Sequence, residues 1–279
     1  MKIRSSIDQT LLEVLAELSP ESSKTSQRSW VKEGRITVDG QVVKSPTAIV
    51  HAGQEVALGV RPKLVEEGKL RILYEDRHLV VIEKPSGLLS VATNFEKADT
   101  AHALLKKKYS HKVFVVHRLD QDTSGVMLFA LNEIARDQLK LLFEKHEIVR
   151  SYTAIVEGHL EASSGTWQSY LREDENYVVY STPEAENSQL ATTHYTVIST
   201  SKRYTKLELN LETGRKNQIR VHCQDAGHPV AGDTKYGAQT NPIHRLCLHA
   251  HLLTFLHPIT KQKMRFESPL PPIFQKIVS

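Results

Sequence analysis

Val116 to Ala130 reads VHRLDQDTSGVMLFA, an apolar run that breaks at His117-Arg118-Leu119-Asp120 and restarts after Thr123-Ser124-Gly125. Turn-forming residues between two β-rich runs predict a strand, a polar loop and a second strand. Comparable runs lie on both sides: LVVIEKP, VFVVHRL, GVMLFALN, YTAIVEG, THYTVIS and TKLELNLE. Helical patterns are fewer, at Thr100 to Tyr109, Glu133 to His146 and Gln218 to Ala226. Strands therefore outnumber helices without a regular βαβ rhythm. This predicts an α+β fold on a mixed, mainly antiparallel β-sheet rather than a doubly wound one.

Upstream the texture changes. DQTLLEVLAEL, from Asp8 to Leu18, places Leu11, Leu15 and Leu18 at helical spacing with Asp8 as a cap. KTSQRSWVK, from Lys24 to Lys32, predicts a second helix closed by Gly34. ITVDGQVV then centres a hairpin on Asp39-Gly40, and a strand follows at Glu55 to Leu58. The unit ends near Pro62, and a charged connector leads onward. The expected organisation is a small α/β unit at 1–62 and a large one at 63–279.

The chain has 279 residues and only two cysteines, Cys223 and Cys247, neither in a Cys-x-x-Cys pair. A disulfide framework and a cysteine zinc site are both excluded, and a reducing compartment fits. Charges thread the N-terminal apolar residues, unlike a signal peptide, and no run approaches about 20 apolar residues, the length of a membrane span. The expectation is a soluble, cytoplasmic protein. Its formal net charge of +4 permits a polyanionic partner without demanding one.

Taken singly, the polar candidates have ordinary explanations. Asp120 and Asp122 suit turn capping, and Tyr152 suits a strand in a core. Lys24, Arg28 and Lys32 recur every four residues beside Arg35, a row that on spacing alone is a solvated helix face and that also suits a phosphate backbone. GRKNQIRVHCQDAGHPVAGDTKYG, Gly214 to Gly237, gathers Arg215, Lys216, Arg220 and His222, with His228 and Asp233 following. Its spacings match no zinc signature, so no metal is expected.

Together the segments resemble the RluA-type RNA pseudouridine synthases. HRLDQDTSG at 117–125 reproduces that family's aspartate motif. YEDRHLVVIEKPSGLLSV at 74–91, VRSYTAIVEG at 149–158, LETGRKNQIRVHCQDAGHPVAGDTKYG and RLCLHAHLLTFLHP resemble its other motifs, in order. Asn217 stands where histidine is common. The N-terminal unit resembles the S-four-like (αL motif) RNA-binding domain, although Trp30 takes an aliphatic position and no Ser-Arg-Ser occurs.

The resemblance implies an isomerase that breaks the N1–C1′ bond of a uridine, turns the uracil while it stays bound and rebonds C1′ to C5. No cofactor is needed. It implies Asp120 as the essential carboxylate, whether by attack on C1′ or by removal of the 2′ proton through a glycal. Arg220 is to pair with Asp120 and keep it charged, as bidentate arginine geometry allows. Tyr152 is to stack on the flipped uracil and is a candidate to remove the C5 proton. Arg118 is to enter the RNA helix where the base leaves. Lys24, Arg28, Lys32 and Arg35 are to bind RNA. The implied partner is a structured RNA, large-subunit ribosomal RNA before transfer RNA, met by a monomer. A glycosidase would need a second carboxylate opposite Asp120, and a noncatalytic RNA-binding or ribosome-assembly protein would be expected to have lost the aspartate, tyrosine or arginine motif.

Overall fold

A computed structural model describes residues 1–32, 35–43, 45–58, 70–92 and 100–278, without the side chains of Lys32, Gln41 and Val42. The chain divides into two compact units, Met1–Glu66 and Glu67–Ser279. The divide, the expected boundary near Pro62 and the expected helix closure at Gly34 all lie outside the described residues.

The first unit contains β1 (Lys2–Arg4), β2 (Gln9–Thr10), α1 (Leu11–Leu18), α2 (Lys24–Lys32), β3 (Ile36–Val38), β4 (Gln41–Val42), β5 (Ile49–Val50) and β6 (Glu55–Leu58). Its main sheet runs β1-β6-β3-β4, and β2 pairs with β5. Leu11, Val14 and Leu15 bury one face of α1 against Val31, Ile36, Val50 and Val56. The cap differs from expectation. Thr10 and Glu13 form a capping box on α1, while Asp8 accepts the Ala52 N–H at 2.8 Å and holds His51 at 3.0 Å. Two residues of strand between Asp8 and the helix put the carboxylate out of reach of the helix start.

The second unit contains β7 (Arg71–Glu75), β8 (Leu79–Lys84), α3 (Ala101–Lys108), β9 (Phe114–Val115), β10 (Ser124–Ala130), α4 (Glu133–Glu144), β11 (Val149–Glu157), β12 (Ser164–Glu173), β13 (Val179–Thr182), β14 (Gln189–Thr200), β15 (Tyr204–Leu211), α5 (Gln218–Asp225), β16 (Leu248–Leu256), β17 (Lys263–Glu267) and α6 (Pro272–Val278). Eleven strands form one sheet in the order β13-β12-β14-β15-β11-β16-β10-β8-β7, with β17 on β16 and β9 on β10. The β10–β16 pair is parallel and the other strand pairs are antiparallel. The sheet is thus mixed and mainly antiparallel, as expected.

Period-two alternation explains the continuous apolar run of β10. Val126, Leu128 and Ala130 point to one face and pack on Ala135 and Leu139 of α4. Met127 and Phe129 point to the other and join Leu105 of α3. Both faces are covered, so every residue of β10 is buried. Side-chain caps start both helices: Asn132 accepts the Ala135 N–H at 2.9 Å and Thr100 the Ala103 N–H at 3.0 Å.

The run VFVVHRL is strand only at Phe114–Val115. Beyond it the chain leaves the sheet, and residues 116–123 form the loop that carries Asp120. β12 lacks an apolar run because only alternate side chains are partly covered.

Candidate active site

The loop of Asp120 is pinned from below by the Lys84-Pro85-Ser86-Gly87 turn. Lys84 is fully buried, and its ammonium donates to the carbonyls of Pro85, Leu88 and Gln121 at 2.9, 2.7 and 2.9 Å. Burial pushes its pKa down to about 7, against the pull of Asp122 and then Asp120. Gln121 Nε2 donates to the Gly87 carbonyl at 3.1 Å, and the Gly87 N–H returns a bond to the Gln121 carbonyl at 2.9 Å. Ser90 Oγ donates to the Leu119 carbonyl at 2.6 Å and accepts its N–H at 3.1 Å. Six bonds thus hold the backbone of residues 119–121, and Asp120 is presented by a rigid turn.

Asp120 lies in a cavity of about 450 Å³ together with Arg118, Arg150, Tyr152, Asn217 and Arg220. Its carboxylate accepts a hydrogen bond from Asn217 Nδ2 at 2.7 Å. Arg220 departs from the expected bidentate pairing with Asp120. Its Nε and one terminal nitrogen grip Asp233 at 2.6 and 2.7 Å, while the other terminal nitrogen stands 3.9 Å from Asp120. The physical reason is burial: Asp233 is almost wholly enclosed and takes the planar fork, leaving one edge to face the more open Asp120. Burial opposes the Arg220 charge, but the hydrogen bonds and charge of Asp233, followed by the charge of Asp120, outweigh it and raise the pKa.

Asn217 occupies the residue before α5 with φ 53° and ψ 16°, the left-handed region that asparagine tolerates better than most residues. Its carbonyl oxygen accepts the Tyr236 hydroxyl at 3.2 Å, and that hydroxyl accepts the Val179 N–H at 3.2 Å. The relay fixes which way the amide points, so the NH₂ faces Asp120. Tyr236 also lies under the Arg220 guanidinium, 4.7 Å from ring centre to carbon. Asp233 and Tyr236 come from the Gly-Asp-Thr-Lys-Tyr-Gly end of the long C-terminal motif. Sequence reasoning quoted that motif without assigning either residue a role.

Tyr152 projects from β11 into the cavity and is 7% exposed. Burial raises its pKa; the charge of Arg150 opposes this and that of Asp120 adds to it. Arg118 is exposed and has no hydrogen-bond or ion-pair partner among the described residues. Glu144, the other carboxylate lining the cavity, is exposed at the end of α4. No group of three or more His, Cys, Asp or Glu side chains among the described residues could hold a metal ion.

In the first unit, Lys24 and Arg28 are exposed on α2. Arg35 is half-buried and lies over the Trp30 ring at 5.7 Å. The Lys32 side chain lies outside the described residues.

A carboxylate on a rigid loop, faced by an amide and an arginine in a cavity sized for one nucleobase, defines an enzyme of nucleotide chemistry on a mixed sheet. Comparison with known proteins carries this further. Residues 78–225 match the RNA pseudouridylate synthase family and residues 9–56 match the S4 domain. An RNA pseudouridine synthase of Bacillus subtilis is 35% identical over 90% of this chain and 86% of its own length. The ribosomal large subunit pseudouridine synthase D of Pseudomonas aeruginosa is 34% identical over 97% and 91%. Among solved structures, human RNA pseudouridylate synthase domain containing 4 superposes with a TM-score of 0.60 at 27% identity, covering 74% of this chain and 90% of that one. The chain belongs to the RNA pseudouridine synthase family, isomerases acting on RNA, and carries an N-terminal S4 domain.

Proposed function

We propose that this enzyme isomerises uridine to pseudouridine in large-subunit ribosomal RNA, as a cytoplasmic monomer with Asp120 as the catalytic carboxylate. The observation that carries the reading is the placement of Asp120, held by Asn217 at 2.7 Å and faced by Arg220 at 3.9 Å in a cavity floored by Tyr152. Relatives named for large-subunit ribosomal RNA, similar over nearly the full chain, support the choice of RNA.

The reaction breaks N1–C1′, forms C5–C1′ and moves the C5 proton to solvent while N1 regains one, so it is redox-neutral. Asp120 acts at the ribose, by attack on C1′ or by taking the 2′ proton. The Asn217 N–H and the Arg220 edge stabilise its negative charge and fix its aim. Tyr152 stacks on the uracil. Its raised pKa keeps the phenol protonated at neutral pH, which favours the stacking role over that of a base for the C5 proton. Arg118, exposed at the mouth, enters the RNA helix as the base leaves it. The cationic face of the S4 domain, with Lys24 and Arg28 exposed and Arg35 and Lys32 beside them, holds the RNA backbone.

The test is Asp120→Asn, assayed on ribosomal and transfer RNA transcripts by carbodiimide-dependent primer-extension stops. Turnover is expected to vanish with fold and RNA affinity retained. Retained activity would remove Asp120 from the mechanism, and wild-type activity on transfer RNA alone would move the substrate.

A further inference from the structure

Arg150 is a cation without a counter-charge. It sits two residues before Tyr152 on β11, so both side chains leave the same face of the strand, about 6.8 Å apart along it, and both line the cavity. A guanidinium carries five N–H donors. Here the hydrogen bonding amounts to one long bond from a terminal nitrogen to the Glu212 carbonyl at 3.3 Å. Nε is buried with no partner, and no carboxylate among the described residues lies within ion-pair reach. The flat group instead lies over the Phe143 ring at 5.6 Å. Arg215 lies near enough to Arg150 for their charges to repel. It is exposed at the same cavity, with its Nε spent on the Leu190 carbonyl at 3.0 Å.

Two like charges at one cavity wall, one largely desolvated, are costly unless an anion joins them. The chain also makes room for the arrangement. A Cβ on Gly214 would stand 2.3 Å from a terminal nitrogen of Arg150, so only glycine leaves that space to the guanidinium.

We propose that Arg150, with Arg215 at the rim, is the seat of one phosphate of the RNA strand, beside the nucleotide whose base lies on Tyr152. The inference rests on the proposed function for the identity of the anion. The offset of Arg150 from Tyr152 along one strand matches the offset between a base and its own backbone, so one nucleotide spans both. Arginine suits the role because its fork binds phosphate oxygens in pairs.

The experiment measures equilibrium binding of the full chain to a large-subunit ribosomal RNA transcript over a range of salt, for wild type, Arg150→Gln, Gly214→Ala and the double variant, with turnover recorded in parallel. Gly214→Ala keeps the charge and displaces the guanidinium, and the only atoms that must yield are the end of a flexible side chain. Each single variant is expected to bind about 10-fold more weakly and to lower the log–log salt slope by about 0.7 to 0.9, the loss of one phosphate contact. The double variant is expected to be no worse than Arg150→Gln. An unchanged slope in both single variants overturns the proposal, as does a full additional loss in the double variant. Absence of turnover in the wild type would count against the proposed function alone, because the slope is read from binding.

Discussion

Asn217 shows how much a single residue at a helix start decides. Its left-handed backbone puts the amide between Tyr236 and Asp120, and the donor that results is the shortest contact to the reactive carboxylate. Aspartate tolerates the same backbone conformation, so Asn217→Asp keeps the shape and replaces a donor with a second carboxylate. Two carboxylates that close do not both ionise readily. The acid limb of the pH–rate profile should move to higher pH, with activity at neutral pH down about 10-fold, the effect of a shift of about one unit, and recovering as pH rises. A profile lowered uniformly with no shift would mean that Asn217 does not act through the charge of Asp120. The sequence placed Asp120, Tyr152 and Arg220 as motif residues, and all three line one cavity. It misdirected the arginine fork, because which of two aspartates is the more buried is a property of packing and not of spacing.

At the scale of elements, the site depends on how β10 leaves the Asp120 loop. Gly125 has φ +122°, and a Cβ there would stand 2.1 Å from the Ala250 carbonyl oxygen of the neighbouring β16. The close approach is at the parallel pair, where Ser124 and Gly125 stand opposite His249 and Ala250. Ser124 Oγ is also bonded to His249 at 2.8 Å and to Arg245 at 2.7 Å. The obstacle is backbone, which cannot swing aside, so Gly125→Ala should cost more than about 3 kcal/mol. Urea unfolding followed by circular dichroism measures this, and a loss under about 1 kcal/mol would show that β10 and β16 can separate cheaply. The helices were legible because side-chain caps and apolar periodicity are local signals. The strand ending at Val115 was read too long, since Val116 is apolar whether it pairs in a sheet or lines a cavity.

The whole molecule carries three enclosed histidines whose burial opposes protonation. His117 accepts the Leu128 N–H at Nε2, at 2.9 Å, and burial followed by the charge of Arg150 pushes its pKa down to about 3. Burial likewise pushes His222 and His249 down to about 4. An unfolded histidine takes up its proton near pH 6.5. Between about pH 6.5 and 4 the unfolded chain therefore binds more protons than the folded one, and stability falls as pH falls. The slope is on the order of 1 kcal/mol per pH unit for each histidine at most. Urea midpoints measured at pH 7, 6, 5 and 4.5 should decline across this window, and a flat series would show that the three sites admit water or protons freely.

The sequence by itself determined the fold class, the order of the motifs and the kind of chemistry, because these rest on local periodicity, turn residues and the types of side chain present. Only the tertiary structure decided the partnerships. It gave Arg220 to Asp233, turned Asn217 toward Asp120, set three carbonyls around Lys84 and left Arg150 beside Arg215 without a counter-ion. The physical reason is that hydrogen bonds and ion pairs depend on a few tenths of an ångström and on which groups lose water. Those quantities exist only once strands distant in the chain have been packed side by side.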